Sequence, residues 1–389
     1  MKLVPLRYPV RSVVVRWRSS LFAAFGIACT VGVLAAILAL REGFESLYRD
    51  TGSDQVLIYL RPGATSEGES GIRRDQARIL KFERPEIERD ATGAPIAAEE
   101  TYLAVNLERE AGGTTNVPLR GVEKASRRIQ GDLWTLVEGR DLLFGADELV
   151  VGEQVSRRIA NCKVGDTLMI NVTPFRVVGV FRHPGPYGSE IWGDVERISE
   201  ALDRSFRQRV VARIRDGTDV LAVARELEND KRAPATAKTE KDYFVSQTNA
   251  LGGTLLVLAA IISAIMGTAA VLGATTTMLA SIGSRTREIG ILLSLGFPRS
   301  SVFAAFLVES FLVGVIGGGV GGLAVLPFDG IQTGTTNMQT FTEVAFGFHV
   351  SPGLLATSFL VALLLALIGG VIPAWRASRL TPVEALRRH

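Results

Sequence analysis

Four long apolar stretches interrupt an otherwise polar chain. They lie at Leu21–Leu40, Leu255–Ile282, Val302–Leu326 and Leu354–Ile372. None contains lysine, arginine or aspartate, and Glu309 is the only charged residue within them. A helix needs about 20 apolar residues to cross the hydrocarbon core of a bilayer. The pattern therefore predicts an integral membrane protein with four transmembrane α-helices.

The block between the first and second apolar stretches mixes two periodicities. Alternating or short apolar runs bounded by turn residues are typical of strands, and longer runs with 3.6-residue spacing are typical of helices. We predict strands at Gln55–Leu60, Thr101–Leu107, Val117–Val122, Glu148–Gly152, Thr167–Val172, Phe175–Phe181 and Val210–Ile214, and helices at Glu153–Ala160, Glu196–Phe206 and Asp219–Asp230. The fold class is thus a large α+β domain between spans one and two, in a one-plus-three arrangement of spans.

Composition marks three further segments of this block. Thr173-Pro174 separates two predicted strands and is expected to form a hairpin turn. Arg61–Asp90, rich in glycine, glutamate, serine and arginine, is expected to be mobile or inserted. Asn229–Asp242 is expected to be a polar connector into the second span.

Charge placement predicts the orientation. Of 43 Lys and Arg, 31 lie in residues 41–250, beside 35 of the 40 Asp and Glu. The other basic residues lie before span one, between spans two and three, and after span four, and the positive-inside rule makes that side cytoplasmic. The formal net charge of +3 therefore reflects topology and does not indicate nucleic-acid binding.

The predicted order is as follows: a cytoplasmic basic segment (1–20), span one (21–40), the extracytoplasmic domain (41–250), span two (251–282), a cytoplasmic helix (283–300), span three (301–326), an extracytoplasmic loop (327–353), span four (354–372) and a cytoplasmic tail (373–389). Both termini are expected to be cytoplasmic. The protein is expected in the cytoplasmic (inner) membrane, in contact with its lipids.

The segment from Ser281 to Glu309 is basic and amphipathic. Its charge comes from Arg285, Arg287 and Arg299, and an apolar stripe follows one helical face through Ile289, Leu292, Leu293 and Phe297. Gly296-Phe297-Pro298 is a stop signal. The pattern predicts a short helix at the membrane surface that an external partner grips. An alternative interpretation explains the same charges: the segment is a basic loop that only fixes the orientation of the neighbouring spans in the membrane.

The third span carries glycines four residues apart, at Gly314, Gly318 and Gly322. Such spacing forms a ridge without side chains, which lets a second helix approach closely. We expect a helix–helix contact there, within the chain or across a dimer, although membrane helices are rich in glycine in general. Glu309 is an acidic residue inside a span. We expect it either to have a direct function or to cap or pack against the surface helix.

Motifs for catalysis and cofactor binding are not found in the sequence. No lysine follows a glycine, so a P-loop for ATP is missing, and no GxSxG occurs. His183, His349 and His389 lie far apart, which argues against a zinc site. Cys29 lies in a span and Cys162 in the outer block, so we expect no disulfide between them. We predict no catalytic residues, no metal site and no cofactor bound by this chain.

Three groups of residues resemble the FtsX/MacB-type (type VII) ABC transporter permeases in their four-span form. In the surface helix, the similar residues are Arg287-Glu288-Ile289-Gly290-Ile291, Leu295-Gly296-Phe297-Pro298-Arg299 and Glu309. Near the C-terminus, they are Pro373-Ala374-Trp375-Arg376-Ala377-Ser378 and Thr381-Pro382-Val383-Glu384-Ala385-Leu386-Arg387. In the outer block, Leu149–Glu153, Val164–Asp166 and Phe175–Gly179 are similar to the family's MacB-like core domain. Ser294, Phe297 and Leu292-Leu293 depart from the family's alanine and basic preferences.

The resemblance implies a permease that forms a homodimer or pairs with a second permease. A separate ABC ATPase subunit would bind ATP and dock on a coupling helix at Gly283–Arg299. The implied coupling residues are Arg285, Arg287, Glu288, Ile289, Gly290, Leu293, Gly296 and Arg299. A periplasmic adaptor (membrane-fusion protein) is a further implied partner, and the implied cargo is hydrophobic: a lipid, lipoprotein, drug or peptide. The alternative is an FtsX-like regulator of a cell-wall hydrolase that transports nothing.

Overall fold

The computed structural model describes residue 5 and residues 7–49, 51–337, 340 and 342–381. It divides the chain into two compact units. The first comprises Met1–Gly43, Gly253–Ile331 and Gly347–His389, and the second comprises Phe44–Gly252 and Gln332–Phe346. The C-terminal end of the family-like motif, residues 382–387, lies outside the described residues, as do residues 1–4 of the basic N-terminal segment.

Long apolar helices dominate the first unit. Among the described residues, four helices are long and apolar enough to cross a membrane, as predicted. They are α2 (Trp17–Arg49), α8 (Glu240–Ser284), α10 (Arg299–Leu323) and α11 (Pro352–Ser378), accompanied by the short helices α1 (Arg7–Val15) and α9 (Thr286–Ser294). Helix α8 begins well before residue 251, so the segment predicted as a polar connector already contains its first turn.

The glycine ridge of α10 packs against α11 of the same chain. A Cβ added to Gly314 would lie 2.7 Å from the Cβ of Ala366, and one added to Gly318 would lie 2.7 Å from the Cβ of Ala362. Gly322 is less tight, with its nearest neighbour at 3.7 Å. The predicted helix–helix contact is therefore intramolecular, and α11 covers this ridge where a second copy of the chain would have to bind.

A second row of glycines on α10 faces α2. A Cβ at Gly317 would lie 2.7 Å from the carbonyl oxygen of Ala24, and one at Gly321 would lie 2.7 Å from that of Ala28. The backbone of α10 thus lies close to α11 on one side and to α2 on the other, because glycine has no side chain to separate the helices. The core of this bundle contains Ala24, Ile27, Val31, Ala270, Val313, Ala362 and Ala366.

The second unit is built on a mixed sheet flanked by helices, which confirms the α+β prediction. Its strands are β1 (Val56–Leu60), β2 (Ile72–Arg73), β3 (Ala97–Glu108), β4 (Thr114–Val122), β5 (Thr135–Gly139), β6 (Glu148–Gly152), β7 (Thr167–Ile170), β8 (Thr173–Arg182), β9 (Ile191–Asp194), β10 (Phe206–Arg207), β11 (Arg209–Arg213), β12 (Thr236–Thr239), β13 (Gln332–Asn337) and β14 (Thr342–Gly347). Its helices are α3 (Arg74–Phe82), α4 (Lys124–Gln130), α5 (Glu153–Arg158), α6 (Val195–Ala201) and α7 (Val220–Glu228).

Within the described residues the main sheet has the order β12-β1-β11-β3-β4-β9-β6-β8-β5, with β7 on β8. Strand β3 links its two halves. Residues Ala97–Glu100 pair with β11 on one edge, and Thr101–Glu108 pair with β4 on the other. Apolar residues of α3 and α7 pack on the β1–β11 half, and those of α5 and α6 pack on the β6–β8 half. Each half thus has a hydrophobic core of its own.

Several local predictions were wrong. The turn between β7 and β8 is at Asn171-Val172, because Asn171 adopts a positive φ of 55° that asparagine tolerates, and Pro174 lies within β8 opposite Met169. The helix predicted at Glu196–Phe206 ends at Ala201, and Phe206 belongs to β10. Residues 327–353, predicted as a loop, contain β13 and β14.

The segment predicted to be mobile or inserted is built into the second unit. Residues 61–90 contain a 3₁₀ turn at Glu67–Glu69, strand β2 and helix α3. Ala77 and Leu80 are fully buried in the core, and Glu67 is 4% exposed. The polar composition of this segment suggested mobility, because composition alone does not show which partners the polar side chains bind in the folded protein.

Substitution of Gly318 tests the packing of α10 against α11. In Gly318→Leu the new side chain meets Ala362 and Phe359, and such overpacking is expected to cost about 1–3 kcal/mol. Thermal unfolding of the full chain in detergent should show a lower midpoint. Gly319→Leu is the matched control, because nothing lies within 4 Å of the added Cβ. Equal midpoints for the two variants would contradict the packing.

Candidate functional site

A short helix connects α8 to α10. Helix α9 covers Thr286–Ser294, and the chain leaves it through Gly296, whose φ of +83° is in the left-handed region. The amide of Phe297 donates to the carbonyl of Leu292 at 3.2 Å, which closes the helix end. The predicted short helix and its stop signal are thereby found. The helical part is shorter than residues 283–300, because Ser284 ends α8 and Arg299 begins α10.

The apolar face of α9 is packed onto the ends of the neighbouring helices. Ile289 is fully buried and shares a cluster with Ile282, Phe306 and Ala374. Leu293 is half-buried against the same cluster. Two members of the predicted stripe thus anchor the helix. Full burial of an apolar side chain such as that of Ile289 favours the packed state by about 1.5–3 kcal/mol relative to exposure to water.

A buried ion pair joins the start of α9 to α10. The Nη1 atom of Arg285 lies 3.0 Å from Oε2 of Glu309, with the side chains 3% and 10% exposed. The hydroxyl of Ser12 on α1 completes the group: it accepts from Arg285 Nη1 at 2.7 Å and donates to Glu309 Oε1 at 2.9 Å. Glu309 therefore has the packing role that the sequence left open. Removal of one partner would leave a buried unpaired charge, which is strongly destabilising.

Further contacts hold α1 against α9 and the end of α8. The guanidinium of Arg285 lies over the ring of Tyr8, 4.9 Å from its centroid, and the hydroxyl of Tyr8 donates to Glu288 at 3.3 Å. Arg16 donates to the carbonyl of Ser281 at 3.0 Å and to the hydroxyl of Ser284 at 2.6 Å. Tyr8, Ser12 and Arg16 of the N-terminal segment are thus part of the site, which sequence reasoning missed.

The eight predicted coupling residues separate into two groups. Arg285, Ile289 and Gly290 are buried, and Leu293 is half-buried. Arg287, Glu288, Gly296 and Arg299 are exposed. The buried residues are not available for direct contact with another protein in this structure. The exposed ones form a surface with both signs of charge, which the buried ones hold in place.

The second unit has a separate buried cluster of charges. Arg120 donates to Glu190 at 2.6 Å, Glu67 at 2.5 Å and Glu100 at 3.0 Å. Arg209 donates to Glu100 at 2.7 Å and to Glu67 at 3.0 Å. These residues come from five different parts of the chain, so the cluster ties the two halves of the sheet together.

Electrostatics in this cluster favour the charged forms. Burial opposes ionisation of Glu67, but the charges of Arg120 and Arg209 outweigh it, and the pKa of the carboxyl lies below its usual value. The ring of Tyr187 lies under both guanidinium groups, 5.2 and 5.5 Å from its centroid. With paired charges throughout, the cluster has a structural role. No group of three or more potential metal ligands occurs among the described residues.

The comparisons with known proteins match both units. Residues 20–230 match the MacB-like periplasmic core domain family, and residues 260–382 match the FtsX-like permease C-terminal family. The chain belongs to the FtsX/MacB-type ABC transporter permeases. As a member of this family it is a multi-pass protein of the inner membrane, with a large periplasmic-type α+β domain between its first and second spans.

Relatives of this permease include ATP-binding proteins. It is 28% identical to the macrolide export ATP-binding/permease protein MacB of Bdellovibrio bacteriovorus, over 95% of this chain and 58% of that protein. It is also 28% identical to the MacB protein of Hyphomonas neptunium, over 93% of this chain and 57% of that protein. The permease thus spans somewhat more than half the length of these relatives.

Among solved structures, the periplasmic region of MacB from Actinobacillus actinomycetemcomitans aligns with 52% of this chain and 95% of its own. The TM-score is 0.38 and the identity 15%. The extracellular domain of the noncanonic ABC-type transporter YknZ from Gram-positive bacteria aligns with 47% of this chain and 98% of its own, with a TM-score of 0.35 and 12% identity.

Substitution within the buried ion pair tests its role. Arg285→Met leaves the Glu309 carboxylate buried and unpaired, and should cost about 3–5 kcal/mol of stability. The double variant Arg285→Met, Glu309→Leu should recover most of the loss, because neither charge remains. Thermal unfolding of the full chain in detergent measures both. A double variant as unstable as the single one would contradict the pairing.

The buried His183 should make the stability of the second unit depend on pH. Burial lowers the pKa of its imidazole from 6.5 to about 4, and its Nδ1 accepts from the amide of Gly185 at 2.9 Å, so the ring is neutral. As pH falls, the imidazole takes up a proton in the unfolded chain before it does so in the folded one. The free energy of unfolding is therefore highest above pH 6.5 and falls by roughly 3 kcal/mol towards pH 4. His183→Gln should flatten this decline in unfolding midpoints. An unchanged pH profile would contradict the neutral buried state.

Proposed function

We propose that this chain is the permease subunit of an ABC exporter driven by a separate ABC ATPase subunit. The observation that carries the proposal is the architecture of α9: a short helix between two spans, with Arg287 and Glu288 exposed and Arg285 in a buried ion pair. A helix fixed in this way transfers a push from outside to both neighbouring spans. In this proposal ATP is bound by the ATPase partner, and the 389 residues themselves contain no P-loop lysine.

The proposed topology places α9 and both termini in the cytoplasm and the second unit outside the inner membrane. The support is the distribution of basic residues, which the positive-inside rule reads as cytoplasmic. The proposed domain order is that given by the sequence. In this orientation the ATPase approaches α9 from the cytoplasm, while cargo and adaptor meet the second unit.

The proposed cargo is hydrophobic: a lipid, lipoprotein, drug or peptide that is extracted or exported by movements of the outer domain. The support is that the four apolar stretches of the sequence contain Glu309 as their one charged residue, and that Glu309 is already paired with Arg285. Such spans offer no line of charged groups for a polar substrate. A second permease copy, or a different permease, and a periplasmic adaptor complete the proposed assembly.

Charge reversal on α9 tests ATPase docking. Arg287→Glu should lower recovery of the ATPase with the purified permease, by roughly tenfold if one charge-assisted contact is lost. Recovery is measured by mass spectrometry after a mild-detergent pulldown from native membranes. Arg18→Glu is the matched control, because Arg18 is exposed and lies outside α9. Equal recovery with both variants would remove α9 as the docking site.

The same pulldown separates the exporter from a regulator of cell-wall hydrolysis. An ATPase together with a membrane-fusion adaptor supports the exporter. An ATPase together with a wall hydrolase, without an adaptor, contradicts export and supports the regulator.

A further inference from the structure

Strand β3 has an open edge in the second unit. On this edge β11 pairs with β3 only up to Glu100, opposite Arg209. The chain just before β11 does not continue the ladder, because β10 turns away at Gln208 and pairs with β2 instead. In the part of the chain that the structure describes, no strand pairs with this edge between Leu103 and Leu107.

Hydrogen bonds on either side of the opening show which backbone groups face it. The amide of Gln208 donates to the carbonyl of Glu100, and the amide of Tyr102 donates to the side chain of Gln208 at 3.0 Å. Alternate residues of a strand direct their backbone groups to the same edge. The N–H and C=O groups of Ala104 and Asn106 therefore face the opening.

The edge lacks the usual protection against strand addition. Exposed edges are commonly guarded by proline, lysine or an inward charge, but the sequence here is Leu-Ala-Val-Asn-Leu. Further along, the carbonyl of Glu108 accepts from the amide of Ala160 at 2.9 Å, so the opening is closed beyond that point. What remains is a short, uncharged stretch of strand that is unpaired among the described residues.

A groove of about 770 Å³ runs along the opening. Its size lies within the ~300–1,000 Å³ of typical ligand pockets. Leu103 and Ala104 form one wall, and the ring of Phe206, 37% exposed, forms part of the other. The apolar walls fit an apolar side chain of an added strand.

Two guanidinium groups line the same groove, and among the described residues neither forms a salt bridge with a carboxylate. Arg204 lies over the ring of Phe206, 5.9 Å from its centroid, and Arg61 donates only to the backbone carbonyl of Glu69, at 3.4 Å. The carboxylate of Glu69, which also lines the groove, is bonded to Thr65. Glu69 keeps its negative charge and interacts with Arg61, so two guanidinium groups against one carboxylate leave the groove with a net positive charge.

We propose that this groove binds an extended segment of a partner polypeptide, which adds as a strand to the edge of β3. The segment carries an acidic side chain that pairs with Arg204 or Arg61, next to an apolar side chain that packs on Phe206. Main-chain hydrogen bonds to Ala104 and Asn106 supply affinity, and the charge and ring supply selectivity. This inference goes beyond ATPase docking on α9 and does not rest on it.

The test uses the full chain in detergent and a fluorescein-labelled peptide of strand length, with alternating valine and threonine and one aspartate. Fluorescence anisotropy should show saturable binding to the unaltered chain. Ala104→Pro removes one edge N–H without removing a β4 ladder bond and should weaken binding about tenfold. Ala104→Val keeps the N–H and is the matched control, with unchanged binding expected. Unfolding midpoints for each variant confirm that the fold is retained.

Two further probes separate strand addition from simple attraction of charge. Arg204→Glu should weaken binding by about tenfold or more, and replacing the peptide aspartate by asparagine should have a similar effect. The proposal is overturned if the unaltered chain does not bind the peptide. It is also overturned if Ala104→Pro binds as well as Ala104→Val, since the groove would then be only a basic patch. Either failure leaves ATPase recovery through α9 unaffected.

Discussion

The buried ion pair between Arg285 and Glu309 is the interaction on which the arrangement of the proposed docking helix depends. A charge in an apolar bundle is tolerated only with a partner and satisfied hydrogen bonds. Ser12 meets that need by bonding to both groups, so α1, α9 and α10 are fixed together. Because Arg285 immediately precedes α9, the pair sets which face of the helix is exposed. Arg287 and Glu288 point outward as a consequence.

The second unit uses buried charge differently. Arg120 and Arg209 are held among Glu67, Glu100 and Glu190, on strands and turns that are far apart in sequence. Every member has opposite charges as neighbours, so this part of the sheet has one arrangement that satisfies all of them. The open edge of β3 begins beside this cluster, after Glu100. Among the described residues this edge is unpaired, and a firmly held strand with such an edge is a suitable surface for adding another strand.

Patterns within the sequence predicted the features that local chemistry determines. Length and hydropathy predicted the four spans, and Gly296-Phe297-Pro298 predicted the end of α9. The strand at Glu148–Gly152 was predicted with the bounds that the structure has. Each of these depends on residues close together in the chain, where periodicity and turn preferences act directly.

Contacts between distant residues were not predictable in the same way. Ser12 and Arg285 are 273 positions apart, and no local signal connects them. Glu67 lies in a polar segment that predicted mobility, yet pairing with Arg120 and Arg209 buries it. The glycine spacing of α10 predicted a close helix contact, but the spacing is the same whether the other helix belongs to the chain or to a second copy. Only the position of α11 decides between them.

The most direct test of the docking helix is a photocross-linking scan along residues 286–299 in native membranes. A photoreactive phenylalanine analogue is placed at each position in turn, and cross-linked proteins are identified by mass spectrometry. We predict cross-links to an ATPase from exposed positions such as Arg287, Glu288 and Ile291, and none from the buried positions Ile289 and Gly290. Absence of ATPase cross-links at every position, or equal yields from buried and exposed positions, would contradict this prediction.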